Sequence, residues 1–240
     1  MIKKIRPRLI FILAEKKLKV SQRNLLIDLP PSYIGSLTLL ETSVLVTFAK
    51  CIKAKKIFEF GTYFGGTTKN LANNTDPSTK IYSLDIDIKK MRIDNSRLNL
   101  KTKNYLKNEK INDNYLMDLQ KKRRAFKINE LKNFNKKKIK LLKLNSLDFE
   151  GKNYKEKFDM IFIDGGHDSK TILSDTKNSN IMAKKNSIIF WHDYNSKIHT
   201  SVTKNIDKYG KNKTIYHIEN TMIAFQLNGK FKKLLNDKSR

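Results

Sequence analysis

The chain has 240 residues, 39% of them hydrophobic and 10% aromatic, a size and composition that suit one globular domain better than two small ones. Its 50 Lys+Arg against 23 Asp+Glu leave a net charge of +27, which invites a nucleic-acid reading; yet only eight of those cations are arginine, the residue that bidentate phosphate recognition prefers, and the lysines read first as a solvated basic surface. A single cysteine, Cys51, excludes an internal disulfide and a cysteine-based zinc site, and no apolar run approaches the ~18 residues of a membrane span.

Residues 1–35 form a basic lead-in that opens like a signal peptide. Its apolar stretch, residues 9–14, is short, runs into Glu15, Lys16 and Lys17, and has no small-residue cleavage site. It reads as an amphipathic segment that touches a membrane surface or a partner subunit, on a cytoplasmic chain. Pro30 and Pro31 disfavour helix before them and separate the lead-in from the body, residues 36–240. A helix is expected over 36–53, with Ser36 as its cap, Leu40, Val44, Phe48 and Ile52 on one face, and positive charge closing its last turn.

Five short, β-branched, barely alternating runs follow, at 57–60, 80–84, 139–144, 160–163 and 187–191, each ending in glycine or polar residues. Strands buried on both faces of a parallel sheet look like this, and their carboxyl ends are where such sheets carry function. Helical stretches between them make the class alternating α/β. Residues 214–217 and 222–226 flank a Glu219-Asn220 turn and read as a closing hairpin. Residues 86–138 are far longer than one crossover helix requires and hold 17 Lys+Arg against 6 Asp+Glu. Leu98, Leu106, Tyr115, Leu116, Leu119 and Phe126 are expected to anchor two helices there, as an inserted arm, an oligomer contact or a lid.

Five of the nine glycines fall in two strand-end loops. The first, Glu59-Phe-Gly61-Thr62-Tyr63-Phe-Gly65-Gly66, leaves the first of the five strands and enters a helix. Gly61 allows a tight turn, Gly65 allows close passage of a ligand, and the helix N-terminus offers an anion-friendly rim. Asp85 ends the next strand, where a carboxylate can accept hydrogen bonds from both ribose hydroxyls of a nucleoside. Asp85 with Asp87 also spells a D-x-D metal pattern, which would leave the glycine loop without a role. No Gly-Lys-Ser/Thr follows the loop, so it is not a P-loop. Tyr63 stands where a dinucleotide site has its second glycine and would obstruct a pyrophosphate. A nucleoside lacking a pyrophosphate, such as S-adenosylmethionine, fits better.

These residues, with Ile163-Asp164-Gly165-Gly166-His167 and His192-Asp193-Tyr194, make the chain resemble a class I S-adenosylmethionine-dependent methyltransferase. The likeness is to the bacterial branch with E-x-G-T-x-x-G-G, I-D-G-x-H and H-D or E-D motifs, which is similar to sugar O-methyltransferases; Asp175-Thr176-Lys177-Asn178 matches it too. It covers about 37–227, with 86–138 poorly matched. The resemblance implies a Rossmann-like fold: a mostly parallel seven-stranded sheet, helices on both faces, and a C-terminal antiparallel hairpin.

It implies site residues as well. Glu59, Gly61, Thr62, Tyr63, Gly65 and Asp164 would shape the cofactor's methionine end, Asp85 would hold the ribose with Ile86 beside the adenine, and Asn145 and Ser146 would stand near the adenine amino group. Asp164, His192 and Asp193 would hold Mg²⁺ or Mn²⁺, with His192 where the sugar enzymes have glutamate, and His167 would be the general base. Trp191 and Tyr194 flank the pair as core or as acceptor wall. The expected reaction is O-methylation of a small molecule or glycan, in a polysaccharide-biosynthesis setting; an RNA acceptor bound through the basic 86–138 segment and a non-catalytic scaffold on the same fold are the alternatives.

Overall fold

The computed structural model describes residues 1–28, 34–94, 106, 108–134 and 137–235. Its centre is a sheet in which apolar side chains leave both faces of each strand. On β2 (Lys56–Phe60), β5 (Phe158–Ile163) and β6 (Ala183–Trp191), Ile57, Met160, Phe162, Ile188 and Phe190 enter one core cluster. Their neighbours Phe58, Ile161, Ile163, Ile189 and Trp191 enter a second. Burying such side chains is worth about 1.5–3 kcal/mol each, which is why these strands read as unbroken apolar runs. The first cluster is closed by α1 (Pro7–Lys17) and α2 (Leu39–Cys51), the second by α5 (Ser169–Met182) and α6 (Thr200–Tyr209).

With β1 (Ile2–Ile5), β3 (Lys80–Asp85), β4 (Ile139–Lys143), β7 (Ile215–Ile218) and β8 (Ala224–Leu227), the strand order is β1-β7-β8-β6-β5-β2-β3-β4. All pairs are parallel except those made by β8. The chain runs outward from β2 to β4 and returns to lay β5 on the other side of β2. Strand order therefore reverses between β2 and β5, and ligands of open α/β sheets bind in the crevice at such a switch point.

Several expectations change. The sheet has eight strands, not seven, because the lead-in supplies β1, which pairs with β7, and α1, whose Ile10 and Leu13 are buried in the first cluster. One side of α1 is thus covered by the chain's own core, while Leu9, Phe11, Val20, Leu26 and Ile34 of the lead-in stay exposed. Helix α2 starts at Leu39, not near Ser36, because Thr38 and Glu41 form a reciprocal capping box.

In the insertion the described residues include a 3-10 turn, Ile88–Lys90, and one long helix, α4 (Glu109–Phe134); residues 95–105 and 107, where the other expected helix would fall, lie outside the described residues. Leu106 is exposed, Tyr115, Leu116 and Leu119 are half-buried, and the buried positions are the polar Asn112, Asn114, Asp118 and Gln120. This helix lies on a polar surface rather than on the core, so apolar periodicity could not locate its contact face. Pro30, Pro31, Leu98 and the side chain of Phe126 lie outside the described residues. Among the described residues no helix is long and apolar enough to cross a membrane.

Candidate functional site

At the switch point the backbone of β2 turns away from β5 at Gly61. There φ is +88°, and a Cβ would stand 1.9 Å from the Asp164 carbonyl oxygen, so no other residue fits. Asp164 N–H donates to Phe60 O at 2.9 Å, and Gly61 N–H donates to Leu84 O at 2.8 Å. Gly65, with φ +82°, is the N-cap of α3 (Gly66–Asn74). The loop between carries Thr62, whose hydroxyl meets that of Ser83 at 2.7 Å, and Tyr63, held at φ +47°. Tyr63 N–H donates to Asp85 Oδ2 at 2.8 Å, and Ile86 N–H to Asp85 Oδ1 at 2.7 Å. The loop and the acidic strand end thus form one unit.

Beneath the loop Glu59 is buried, accepting hydrogen bonds from Thr68 and, at 2.5 Å, from Ser83. Burial raises its pKa to about 8; the Ser83 and Thr68 hydroxyls pull against this, while the nearby Asp164 and Asp85 charges add to it. Glu59 is therefore mostly neutral near pH 7. On the far side of Asp85, Asn145 follows β4 and caps the next turn by accepting from Leu147 N–H at 3.0 Å; Ser146 begins that turn. Leu144 N–H donates to Asp85 O at 3.0 Å, which sets Asn145 and Ser146 beside the Asp85 strand end.

The ends of β5 and β6 bring together Asp164, His167, His192 and Asp193. Asp193 Oδ2 lies 2.9 Å from His167 Nε2 and 3.2 Å from His192 Nδ1, and Asp164 Oδ1 lies 3.1 Å from the same Nδ1. Burial by itself would lower both imidazole pKa values, but the surrounding carboxylates outweigh it and hold both well above 6.5. For His167 these are Asp193 and Asp113; for His192, Asp164 and Asp193. The two histidines in turn overcome desolvation and hold Asp193 well below its ordinary value.

Several contributors were not legible as site residues. Glu41 Oε1 lies 3.5 Å from His192 Nε2, and despite desolvation this histidine brings the Glu41 pKa down to about 2. The T-x-x-E spacing of its capping box was the available signal. Asp113 of α4 meets His167 Nδ1 at 2.6 Å, and Gln120 of α4 donates to Asp85 Oδ2 at 2.6 Å. His199 stacks on the His167 ring with centroids 3.6 Å apart, and its pKa is lowered by burial and by His167. Nothing in the spacing of Asp113, Gln120 or His199 announces these contacts.

Trp191 is core, its Nε1–H donating to Thr176 Oγ1 at 2.9 Å, and Tyr194 is buried with its hydroxyl on Asp207. The cleft bounded by Gly35, Gly61, Tyr63, Asn70 and Asp164 encloses only about 30 Å³. A groove of about 940 Å³ lies at the opposite end of the strands, lined by Lys3, Lys184, Lys185, Lys211, Lys213 and Lys232 but by none of these site residues. Volume is therefore a poor guide to the chemistry here, and the convergence of titratable groups a better one.

A family described as a methyltransferase domain matches residues 58–194. A search of curated protein sequences returns no match. Among solved structures, the Podospora anserina methyltransferase PaMTH1 bound to SAH is 15% identical, covering 92% of this chain and 88% of that one at a TM-score of 0.55. A candidate caffeoyl-CoA O-methyltransferase from Staphylococcus aureus is 12% identical over 93% and 99% of the two chains, at 0.55. The O-methyltransferase TomG from Streptomyces achromogenes, involved in tomaymycin synthesis and in complex with SAM, is 12% identical over 80% and 81%, at 0.52. At these identities the likeness is one of fold.

Proposed function

The chain belongs to the family of methyltransferase domains, and from that premise we propose that it transfers the methyl group of S-adenosylmethionine to a hydroxyl oxygen of a small molecule or glycan. One observation carries the reading: a nucleoside-type carboxylate, Asp85, and a carboxylate-bound imidazole, His167, stand on either side of the glycine turn at the switch point. The SAM and SAH carried by TomG and PaMTH1, and the O-methyltransferase names of TomG and the S. aureus protein, support it.

The residues present suit that cofactor. Asp85, oriented by Tyr63 N–H, Ile86 N–H and the Gln120 side chain, would take the ribose hydroxyls, with Ile86 beside the adenine plane and Asn145 and Ser146 at its edge. Gly61, Thr62, Tyr63, Gly65 and Asp164 border the methionine end, and Glu59 braces the loop from below. When bound, S-adenosylmethionine supplies an electrophilic methyl group on a sulfonium.

The chain's own part is to place the acceptor oxygen in line with that methyl and to take its proton at His167 Nε2. Carboxylates that raise the His167 pKa make it a stronger base while shrinking its unprotonated fraction at neutral pH. Among the described residues Asp164, His167 and Asp193 have ligand atoms close enough together to share a divalent cation, whereas the expected His192 meets the two carboxylates at Nδ1; a cation held by Asp164 and Asp193 would lower the pKa of an acceptor hydroxyl. Two carboxylates and an imidazole are a softer donor set than three carboxylates and favour Mn²⁺ over Mg²⁺. An RNA acceptor has less support, because the described part of the 86–138 segment turns Asp113 and Gln120, not lysines and aromatics, toward the site.

Calorimetric titration with S-adenosylmethionine and S-adenosylhomocysteine tests the cofactor. Asp85→Ala is expected to weaken binding by about 1–3 kcal/mol, roughly 5- to 150-fold; unchanged affinity would take Asp85 out of the site, and no binding by folded wild-type protein would favour the scaffold reading. For the acceptor, S-adenosylhomocysteine release is followed over a panel of glycosides and catechols. Chelation is expected to abolish that release and Mn²⁺ to restore it, whereas full activity in chelator would remove the cation from the mechanism.

A further inference from the structure

The helix of the insertion is laid across the site. Glu109, Asp113, Leu116 and Gln120 follow one another at i, i+4, i+7 and i+11 on α4, a single face of the helix. Together they meet segments leaving four different strands, the one beyond β2 through Gln120, which donates to Tyr63 O at 3.5 Å. Glu109 Oε2 accepts from Ser201 N–H at 3.2 Å, beyond β6, and Asp113 Oδ1 meets His167 Nδ1 at 2.6 Å, beyond β5. Leu116 and Tyr63 both pack at Gly35, where a Cβ would stand 2.9 Å from Leu116 and 3.4 Å from Tyr63, beyond β2. Gln120 reaches Asp85 at the end of β3.

These strands are consecutive in the sheet, in the order β6-β5-β2-β3. Eleven residues of α-helix rise about 16 Å, and three strand spacings span about 14 Å. The stripe therefore has the length needed to touch all four strand ends at once.

We propose that Asp113 is a positioning residue for proton transfer, fixing the His167 ring through Nδ1 so that Nε2 faces the acceptor; this rests on the base role given to His167 above. His167 follows Gly165 and Gly166, a loop stretch with no side chain of its own to hold a ring. Asp168, the next residue, is engaged elsewhere: it caps α5 by accepting from Lys170 and Thr171 backbone N–H and from the Thr171 hydroxyl. Asp193 faces Nε2, the atom that must take the proton, so it cannot be the group that holds the ring's other side. Asp113 is the carboxylate on Nδ1, and the 2.6 Å separation is that of a short charge-assisted bond. Without it only Asp193 and the stacked His199 restrain the ring, and no group remains to hold Nδ1 in place. The insertion is on this account a working part of the active site.

Two readouts test this, and the first needs no acceptor. Proton NMR of wild-type protein labelled with ¹⁵N-histidine is expected to show a far-downfield His167 Nδ1–H, identified by its loss in His167→Ala. The resonance should move upfield in Asp113→Asn, which keeps the side-chain shape, and vanish in Asp113→Ala. Its persistence in Asp113→Ala overturns the proposal. The second is turnover with whichever glycoside or catechol the panel shows to be accepted: kcat of Asp113→Ala should fall about 10²-fold, with Asp113→Glu recovering part of the loss and acceptor KM and cofactor affinity within twofold of wild type. Asp113→Ala in the His167→Ala background should cost no further rate. A kcat within twofold of wild type in Asp113→Ala, where His167→Ala is slow, overturns the proposal alone; full activity of His167→Ala removes the base and the positioning role together, and the resonance distinguishes the two failures.

Discussion

Replacing His167 with alanine is expected to lower turnover by about 10²–10⁴-fold while cofactor affinity stays within about twofold of wild type. The rate loss follows from geometry. Nδ1 is engaged by Asp113 and Nε2 is 2.9 Å from Asp193, so the ring is held at both edges, and its face is covered by His199 at 3.6 Å. Alanine removes the group that takes the proton and leaves Asp113 and Asp193 without the ring that stood between them.

The sparing of affinity follows from the separateness of the cofactor side. Asp85 is held by Tyr63 N–H, Ile86 N–H and Gln120, none of which touches His167. Steady-state rates beside calorimetric titration of the same preparation measure both quantities, and His167→Gln keeps much of the side-chain volume as a control for packing. A rate within twofold of wild type would exclude the base role. A parallel collapse of rate and affinity would mark His167 as structural.

The second large effect concerns stability. Asp175 lies on α5 with none of its surface exposed, its Oδ2 placed so that a Cβ on Gly165 would come within 3.3 Å. Burial raises its pKa from 3.8 to about 7; the Ser146 hydroxyl pulls it back and the Asp168 charge adds to the rise. The unfolded chain releases this proton near the ordinary value and the native chain keeps it until about pH 7. Between those limits the native state binds more protons, so the contribution is fully present below pH 3.8 and is lost as pH rises through about 7.

The loss amounts to about 4 kcal/mol. Asp175→Asn cannot ionise, so urea unfolding from pH 4 to 8.5 should show its stability gaining on wild type by several kcal/mol as pH rises, with the change complete near pH 8. A constant difference between the two proteins across that range would mean that Asp175 is already ionised in the native state at low pH.

What the residues announce and what they conceal divide along a physical line. β2, β3, β5 and β6 were legible because both their faces are buried, so the run of apolar residues is itself the structural signal; β4, an edge strand with none of its residues fully buried, was legible from Ile139, Leu141 and Leu142. The glycine turn was legible because only glycine tolerates φ near +88° with another backbone where its Cβ would be. Asp85 was legible because it ends an apolar run 24 residues after Gly61, and Asp164, His167, His192 and Asp193 through the motifs that carry the family resemblance. The N-terminal strand and helix escaped notice because Ile2, Ile5, Ile10 and Leu13 are too few and too interrupted by charge to set a period. Thr38 displaced Ser36 as the cap because a cap is decided by its partner three residues on, and Glu41 was that partner.

By itself, then, the sequence determined the α/β class, the glycine turn and the side chains at the strand ends, since each of these follows from local conformation or from apolar pattern. Only the tertiary structure decided the strand order, and with it the switch point, and what faces those side chains. Asp113 and Gln120 lie 54 and 35 residues from the groups they bind, on a helix whose contact face is polar. Hydrophobic periodicity reports where a helix meets a core, and it is silent where a helix meets a site, because there the contacts are hydrogen bonds between particular atoms whose meeting depends on where the whole sheet puts its ends.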